Sequence, residues 1–224
     1  MEPDIRRLEE QLLDAPTSEL WESAHALYKS AAPGSAEPRV VLVYGLACVL
    51  CSAPEETRFE KGHSLLRQAA RRFESQGEFA EAALARLYLA RAERRRAAVE
   101  PELQMLREGF ALSQWAGDGA LAARTLHELG MSLQQAGRVE EAEAVLLDLE
   151  SCTEPIAAQE RWRWHHLRAR ILLGIGDLRL AARELSRARN SLQVHGPNAA
   201  LDLLLEDARR LKEALERTHV SQAS

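Results

Sequence analysis

The chain has 224 residues, 46% of them hydrophobic, and a formal net charge of −5. That length can bury a sizeable core, and the abundance of Ala, Leu, Glu and Arg with few β-branched residues favours helices over sheets. A net negative charge argues against general attraction to nucleic acids or to anionic membranes.

The N-terminal region is predicted to form two helices, over about residues 3–14 and 17–32, that make a degenerate hairpin. The first of them is highly charged, which argues against a signal peptide. The apolar stretch that follows, Val40 to Cys51, is too short to span a membrane and is expected to be a buried helix. We therefore expect a cytoplasmic protein that does not contact a membrane.

Three cysteines, Cys48, Cys51 and Cys152, form an odd set without a disulfide framework, as a reducing cytoplasm allows. Cys48 and Cys51 are separated by two residues, but a zinc site needs about four ligands and there is no second such pair. Two small apolar residues of a buried helix explain them. We expect no metal site and no cofactor.

Breaks that contain glycine or proline follow one another at short intervals along the rest of the chain. They divide it into about eleven predicted helices joined by short loops, so the predicted fold class is all-α. Helices joined in this way pack mainly against their neighbours in sequence. The last of them, over about residues 198–218, carries many charged residues, which suits a capping helix at the end of an array.

A sequence repeat relates two of the predicted helix pairs. The sequence GRVEEA at 137–142 recurs as GDLRLA at 176–181. Seven residues before the two glycines, Gly130 corresponds to Ala169. Small residues at such positions let two helix backbones approach closely, so the repeat indicates a conserved mode of packing within the chain.

The segment 78–116 follows this repeat poorly. The second helices of the pairs start about 40 residues apart, which is a period typical of helical repeat arrays. Within the poorly matching segment, either Pro101 or Leu103 can stand opposite Val139. The sequence leaves these two registers open.

The repeated glycine turn, with Leu129-Gly130 before it and small residues after it, resembles the tetratricopeptide repeat. The resemblance covers roughly residues 37 to 194 and is to a longer-period variant, similar to sensor regions of bacterial transcription activators; a HEAT-type array is the alternative. It implies a right-handed superhelical solenoid of antiparallel helix hairpins. The expected organisation is a degenerate helix pair (1–36), tetratricopeptide-like repeats (37–195), and a capping helix with a tail (196–224). Basic residues that are nearly all arginine indicate a GC-rich, bacterial genome.

The resemblance also implies that the first helix of each pair lines a concave groove. Thirteen residues before the two turn glycines lie Arg124 and Arg163, and ten residues before them lie His127 and His166. Arg170 falls on the same helical face as Arg163, and Arg39 takes the comparable place in the first repeat. The predicted binding residues are therefore Arg39, Arg124, His127, Arg163, His166 and Arg170.

Guanidinium groups offer forked donors that suit carboxylates, so the expected ligand is an acidic peptide or a free C-terminus. Protonation of the two histidines below about pH 6.5 would strengthen such binding. The alternative is that these arginines solvate a helix face and pair with nearby glutamates. The segment Arg161 to His166 interleaves aromatic and basic residues, but core packing explains it better than nucleic-acid binding does.

The sequence contains no phosphate loop, nucleophile elbow or zinc-protease motif, so catalytic residues are not expected. The first hypothesis is a non-catalytic adaptor or scaffold that binds a protein or peptide segment of acidic character. The alternative is a regulatory sensor domain or a secretion-chaperone-like protein that binds a small molecule or a client segment, with the apolar helix at Val40 to Leu50 lining the pocket. A homodimer is compatible with the exposed ends of such an array.

Overall fold

The computed structural model of the chain describes residues 5–31, 36–153, 161–192 and 198–222. Within these ranges the chain forms eleven α-helices and no β-strand, which confirms the all-α prediction. The helices are α1 (Ile5–Asp14), α2 (Ser18–Ser30), α3 (Pro38–Leu50), α4 (Thr57–Gln76), α5 (Phe79–Arg95), α6 (Val99–Trp115), α7 (Gly119–Gln135), α8 (Val139–Thr153), α9 (Arg161–Ile175), α10 (Leu178–Leu192) and α11 (Asn198–Gln222). None of the helices so described combines the length and the apolar character needed to cross a bilayer.

The helices group into two compact units, Met1–Asp118 with α1 to α6 and Gly119–Ser224 with α7 to α11. The division falls inside the predicted repeat region of 37–195. At the N-terminal end, α1 and α2 pack against α3, and at the C-terminal end α11 packs against α9 and α10. The helices of the predicted terminal segments thus pack on the helices that follow or precede them in the chain.

Helix α3 forms the centre of the first unit. Every residue from Val40 to Val49 is buried, because α3 packs against α1, α2, α4 and α5. The closest approach is to α4, where a Cβ atom added to Gly62 would lie 2.7 Å from the carbonyl oxygen of Gly45. The apolar side chains that the sequence offered as the lining of a ligand pocket fill the interior of this unit instead.

The turn between α5 and α6 settles the register that the sequence left open. Ala97 has a φ of 56°, in the left-handed region, and the turn glycines Gly137 and Gly176 have φ values of 75° and 84°. Ala97 thus occupies the place of the repeat glycine, and Val99, two residues later, corresponds to Val139. Neither Pro101 nor Leu103 takes that position. The sequence does not show this repeat because the turn has an alanine where its conformation favours glycine.

Two buried glutamates also disguise the repeat in α5 and α6. Glu93 lies where the later repeat has Leu133, and its carboxylate is 2.7 Å from Nε2 of His63 on α4. Glu102 lies where Ala142 stands, and it accepts a 2.7 Å hydrogen bond from Nε of Arg94. Buried carboxylates are tolerated here because each has a partner.

In the second unit, α7 packs with α8, α9 packs with α10, and α9 also contacts α7 and α8. At Gly130 an added Cβ would overlap the side chain of Leu167 on α9. The core that joins α9, α10 and α11 contains Trp162, Leu185 and Leu204. The site described below is built on this unit.

The left-handed turn gives a stability test. Replacing Ala97 by glycine should raise the free energy of unfolding by about 0.5–1 kcal/mol, because the left-handed conformation strains an L-residue more than glycine entropy costs. The matched change Gly137→Ala should lower it by about 1 kcal/mol. Its added Cβ would meet nothing within 4 Å, so only backbone strain acts. Urea unfolding followed by circular dichroism measures both, and a loss of stability in Ala97→Gly would contradict the assignment.

Candidate functional site

The six predicted binding residues are not exposed in the structure. His127, His166 and Arg170 are buried, and Arg39, Arg124 and Arg163 are half-buried. Five of them lie in the second unit, on α7 and α9, whereas Arg39 lies in the first unit on α3. What each of them contacts decides whether it can meet a ligand.

The two predicted histidines bond to one another in the interior. Nε2 of His127 lies 3.0 Å from Nδ1 of His166, and the other ring nitrogen of His166 lies 2.8 Å from Oδ2 of Asp207 on α11. Arg170 donates to Oδ1 of the same carboxylate at 2.7 Å and to the side-chain oxygen of Gln134 at 3.0 Å. These groups form a continuous buried network that joins α7, α9 and α11.

This geometry changes the expected role of the two histidines. A single hydrogen lies between the two rings, since two N–H groups that point at each other would repel. The side chain of His166 is 0% exposed, so a ligand at the surface does not reach it in this arrangement. His127, His166 and Arg170 are thus buried and bonded to protein groups in this structure.

Asp207 is the charged centre of the network. Burial by itself would raise the pKa of Asp207, but hydrogen bonds from His166 and Arg170 and the charge of Arg170 outweigh burial, and the pKa is lowered from 3.8. A carboxyl whose pKa is lower in the folded than in the unfolded state stabilises the fold above the unfolded value. That stabilisation is lost as the pH falls from about 4 through the folded pKa.

Arg39 is held between two carboxylates. One of its terminal nitrogens donates to Glu81 on α5 and the other donates to Glu9 on α1, and Glu9 also accepts a hydrogen bond from the hydroxyl of Tyr88. Its charge is balanced within the first unit. The arrangement matches the alternative in which these arginines pair with nearby glutamates.

Arg124 and Arg163 are also engaged within the protein. The guanidinium of Arg163 lies 4.5 Å from the ring centroid of Trp162, in a cation–π contact. Trp162 packs edge-on against His127 of the preceding repeat, with ring centroids 5.3 Å apart. This contact agrees with the expectation that the segment Arg161 to His166 packs in the core. Arg124 and Arg163 remain partly accessible, so they can border a binding surface without being its main cations.

The histidine–aspartate chain does not have the accessibility of a catalytic relay. A substrate would have to reach rings that solvent does not reach, and both nitrogens of His166 already face protein groups.

In the first unit, Cys48 accepts a hydrogen bond from the indole of Trp21, and burial raises the pKa of the Cys51 thiol. Among the described residues, no three His, Cys, Asp or Glu side chains are placed to hold a metal ion.

The excess of positive charge in the second unit lies on α9 and α10. Residues 161–192 contain eight arginines against one aspartate and one glutamate, a formal charge of +6 in a chain whose net charge is −5. The single glutamate, Glu184, is buried and is approached by His165 at 2.6 Å and by Arg187 at 2.9 Å. The aspartate, Asp177, accepts a hydrogen bond from the backbone of Leu180 at the start of α10.

Four of these arginines project from the surface of the second unit without an ion pair to any residue that the structure describes. They are Arg161, Arg179, Arg183 and Arg189, and all four are exposed. Arg179 and Arg183 stand one turn apart on the outer face of α10. A comparison of equivalent repeat positions does not reveal this surface, because its excess of positive charge is evident only when charges are summed along residues 161–192.

Comparison with known proteins supports only the fold. No protein-family model matches the chain, and no curated protein sequence matches it. Among solved structures, the crystal structure of BtubC (BKLC) from P. vanneervenii is similar, with a TM-score of 0.59 and 14% sequence identity. The match covers 99% of this chain and 92% of BtubC. At that identity the likeness concerns the fold and says nothing of function.

The network predicts a specific effect of removing one charge. Asp207→Asn should lower the free energy of unfolding at pH 7 by about 2–4 kcal/mol, because it leaves the buried guanidinium of Arg170 without its carboxylate. Asp202→Asn, an exposed position on the same helix, is the matched control and should change it by less than about 0.5 kcal/mol. Urea unfolding at several pH values measures both.

The pH dependence sharpens this test. The stabilisation by Asp207 disappears as the pH falls below about 4. The difference in the free energy of unfolding between the native chain and Asp207→Asn should therefore become smaller at that pH. Equal stability of the two asparagine variants at pH 7 would show that the network does not hold the second unit together.

Proposed function

We propose that this chain is a non-catalytic protein-interaction module and that its second unit binds an acidic segment of a partner protein through the arginines of α9 and α10. The observation that carries the proposal is the concentration of positive charge in residues 161–192 of a chain that is acidic as a whole. Such a patch steers and holds a ligand of opposite charge.

The chemistry of the exposed cations suits carboxylates. Arg161, Arg179, Arg183 and Arg189 each offer a planar set of donors that can bind a carboxylate with two parallel hydrogen bonds. No described acidic group pairs with them, so the carboxylates of a partner can bind them without breaking an internal ion pair. Arg124 and Arg163 do not have this advantage, and we place them at most at the border of the site.

A protein partner fits the charge distribution better than a nucleic acid does. If residues 161–192 carry +6 and the whole chain carries −5, the remainder carries −11. A long polyanion would be repelled by most of the chain, and its backbone would extend well beyond one helix pair. A short acidic segment can neutralise the arginines locally and avoid the acidic remainder.

We also propose that the helix pairs are tetratricopeptide-like repeats that form a right-handed superhelical solenoid. The turns inside the helix pairs α5–α6, α7–α8 and α9–α10 support this, because Ala97, Gly137 and Gly176 lie about 40 residues apart. All three have positive φ, as do Gly77 and Gly117 in the turns between pairs. Arrays of this kind act as adaptors and scaffolds through their surfaces.

The proposal is tested by reversing charge on α10. The double variant Arg179→Glu/Arg183→Glu should bind a fluorescein-labelled glutamate-rich peptide about ten-fold more weakly than the native chain, as measured by fluorescence anisotropy. The matched control, Lys29→Glu/Arg71→Glu, makes the same change in net charge at exposed positions of the first unit and should bind nearly as well as the native chain.

Equal binding by the two double variants would reject this surface. A single-stranded oligonucleotide of the same charge serves as the competing probe. If it binds more tightly than the acidic peptide, and only the α10 variant weakens it, the partner is a nucleic acid and the proposal is overturned.

A further inference from the structure

An apolar groove runs between α10 and α11, beside the basic face of α10. It has a volume of about 190 Å³, and its walls include Ala182, Leu185 and Arg189 from α10 and Leu204, Leu205 and Leu211 from α11. Leu185, Leu204 and Leu211 belong to the core of the unit, whereas Leu205 is 50% exposed. The groove is thus a shallow opening onto the core with one leucine left uncovered on its wall.

The size of the groove limits what it can hold. An apolar cavity of about 150 Å³ accepts a benzene molecule, so a groove of about 190 Å³ has room for one aromatic or leucine-sized side chain. Its wall residues on each helix run over eight positions, and the seven steps between the first and the last amount to about 10 Å at 1.5 Å per residue. A single anchor side chain therefore fits it better than a whole apolar helix face does.

The charges beside the groove differ between its two walls. On α10, Arg189 lines the groove and Arg183 stands on the neighbouring outer face without a described acidic partner. On α11 the flanking charges are mixed: Lys212 lies 3.8 Å from Glu216, and Asp202 comes one turn before Leu205. The positive potential at the groove therefore comes from the α10 side.

We propose that this groove is the anchor site of the acidic partner segment and that it takes one large apolar side chain of that segment, with the acidic residues lying against α10. The inference rests on the proposed function, because it uses the same arginines to select an acidic partner. Charge alone selects any acidic segment. The groove would also require a large apolar side chain at one position of the partner sequence. Burying one large apolar side chain contributes more free energy than an exposed ion pair does.

The test measures whether an apolar anchor and the groove depend on each other. Two labelled peptides are used, a glutamate-rich peptide with one central phenylalanine and the same peptide with serine in its place. The native chain should bind the phenylalanine peptide about ten-fold more tightly, as expected for partial burial of one aromatic ring. The protein variants are Leu205→Ser in the groove and Leu203→Ser as the control.

The two serine variants are matched. Leu203 and Leu205 are 46% and 50% exposed on the same helix, but only Leu205 lines the groove. Neither substitution changes the charge, so neither repels an acidic peptide. Leu203→Ser should keep the ten-fold preference for phenylalanine, and Leu205→Ser should reduce it to less than about three-fold. Thermal unfolding checks that both variants are folded.

A second groove variant, on α10, controls for the possibility that Leu205→Ser acts by changing the structure of α11 rather than the groove. Ala182→Phe fills the groove from the α10 wall and should abolish the same preference while the basic face stays intact. If both groove variants keep the ten-fold preference, or if the native chain does not distinguish the two peptides, the anchor site is refuted.

The experiment separates this inference from the proposed function. One possible result is that Arg179→Glu/Arg183→Glu still weakens binding of the serine peptide but the native chain shows no preference for phenylalanine. That result would support the basic surface and reject the groove. Failure of both peptides to bind would reject the proposed function itself. A dimer in sedimentation that Leu205→Ser dissociates and Leu203→Ser does not would show that a second copy of the chain fills the groove, and would overturn the inference.

Discussion

The buried carboxylate of Asp207 is the contact on which the second unit depends. It lies on α11 and bonds to His166 and Arg170 on α9, and His166 in turn bonds to His127 on α7. A buried charge is costly unless all its partners are in place, so such a network favours one arrangement of the helices over others. The apolar groove has defined walls because this network, together with the leucine core, fixes α11 against its neighbours.

The same unit divides its arginines between two roles. Arg170 is buried and is bound to Asp207 and Gln134, where its charge stabilises the fold. Arg179 and Arg183 on the next helix have no described ion pair and face solvent. Breaking the internal ion pair of an arginine so that it can bind a ligand costs free energy. An exposed arginine without an ion pair does not incur this cost. The proposed surface therefore consists of the arginines that the fold does not use.

The sequence predicted the helices and most of the turns because glycine marks a left-handed turn reliably. It did not identify Ala97 as the residue of the turn between α5 and α6, because the conformation there is the same but the residue is not glycine. The spacing also placed His127 and His166 at equivalent repeat positions, but it did not show that the two rings contact each other. Equivalent residues in neighbouring repeats lie side by side, so the two histidines bond to each other. Asp207 lies outside the repeat, and no spacing rule could connect it to them.

The central claim is that the second unit carries the binding surface, and amide chemical-shift mapping tests it most directly. The full-length, isotope-labelled chain would be titrated with the glutamate-rich peptide that carries one phenylalanine. We expect the largest shift changes at Ala182, Arg183 and Leu205, with the amides of α3 in the first unit unchanged. Changes confined to α1 to α6 would contradict the account.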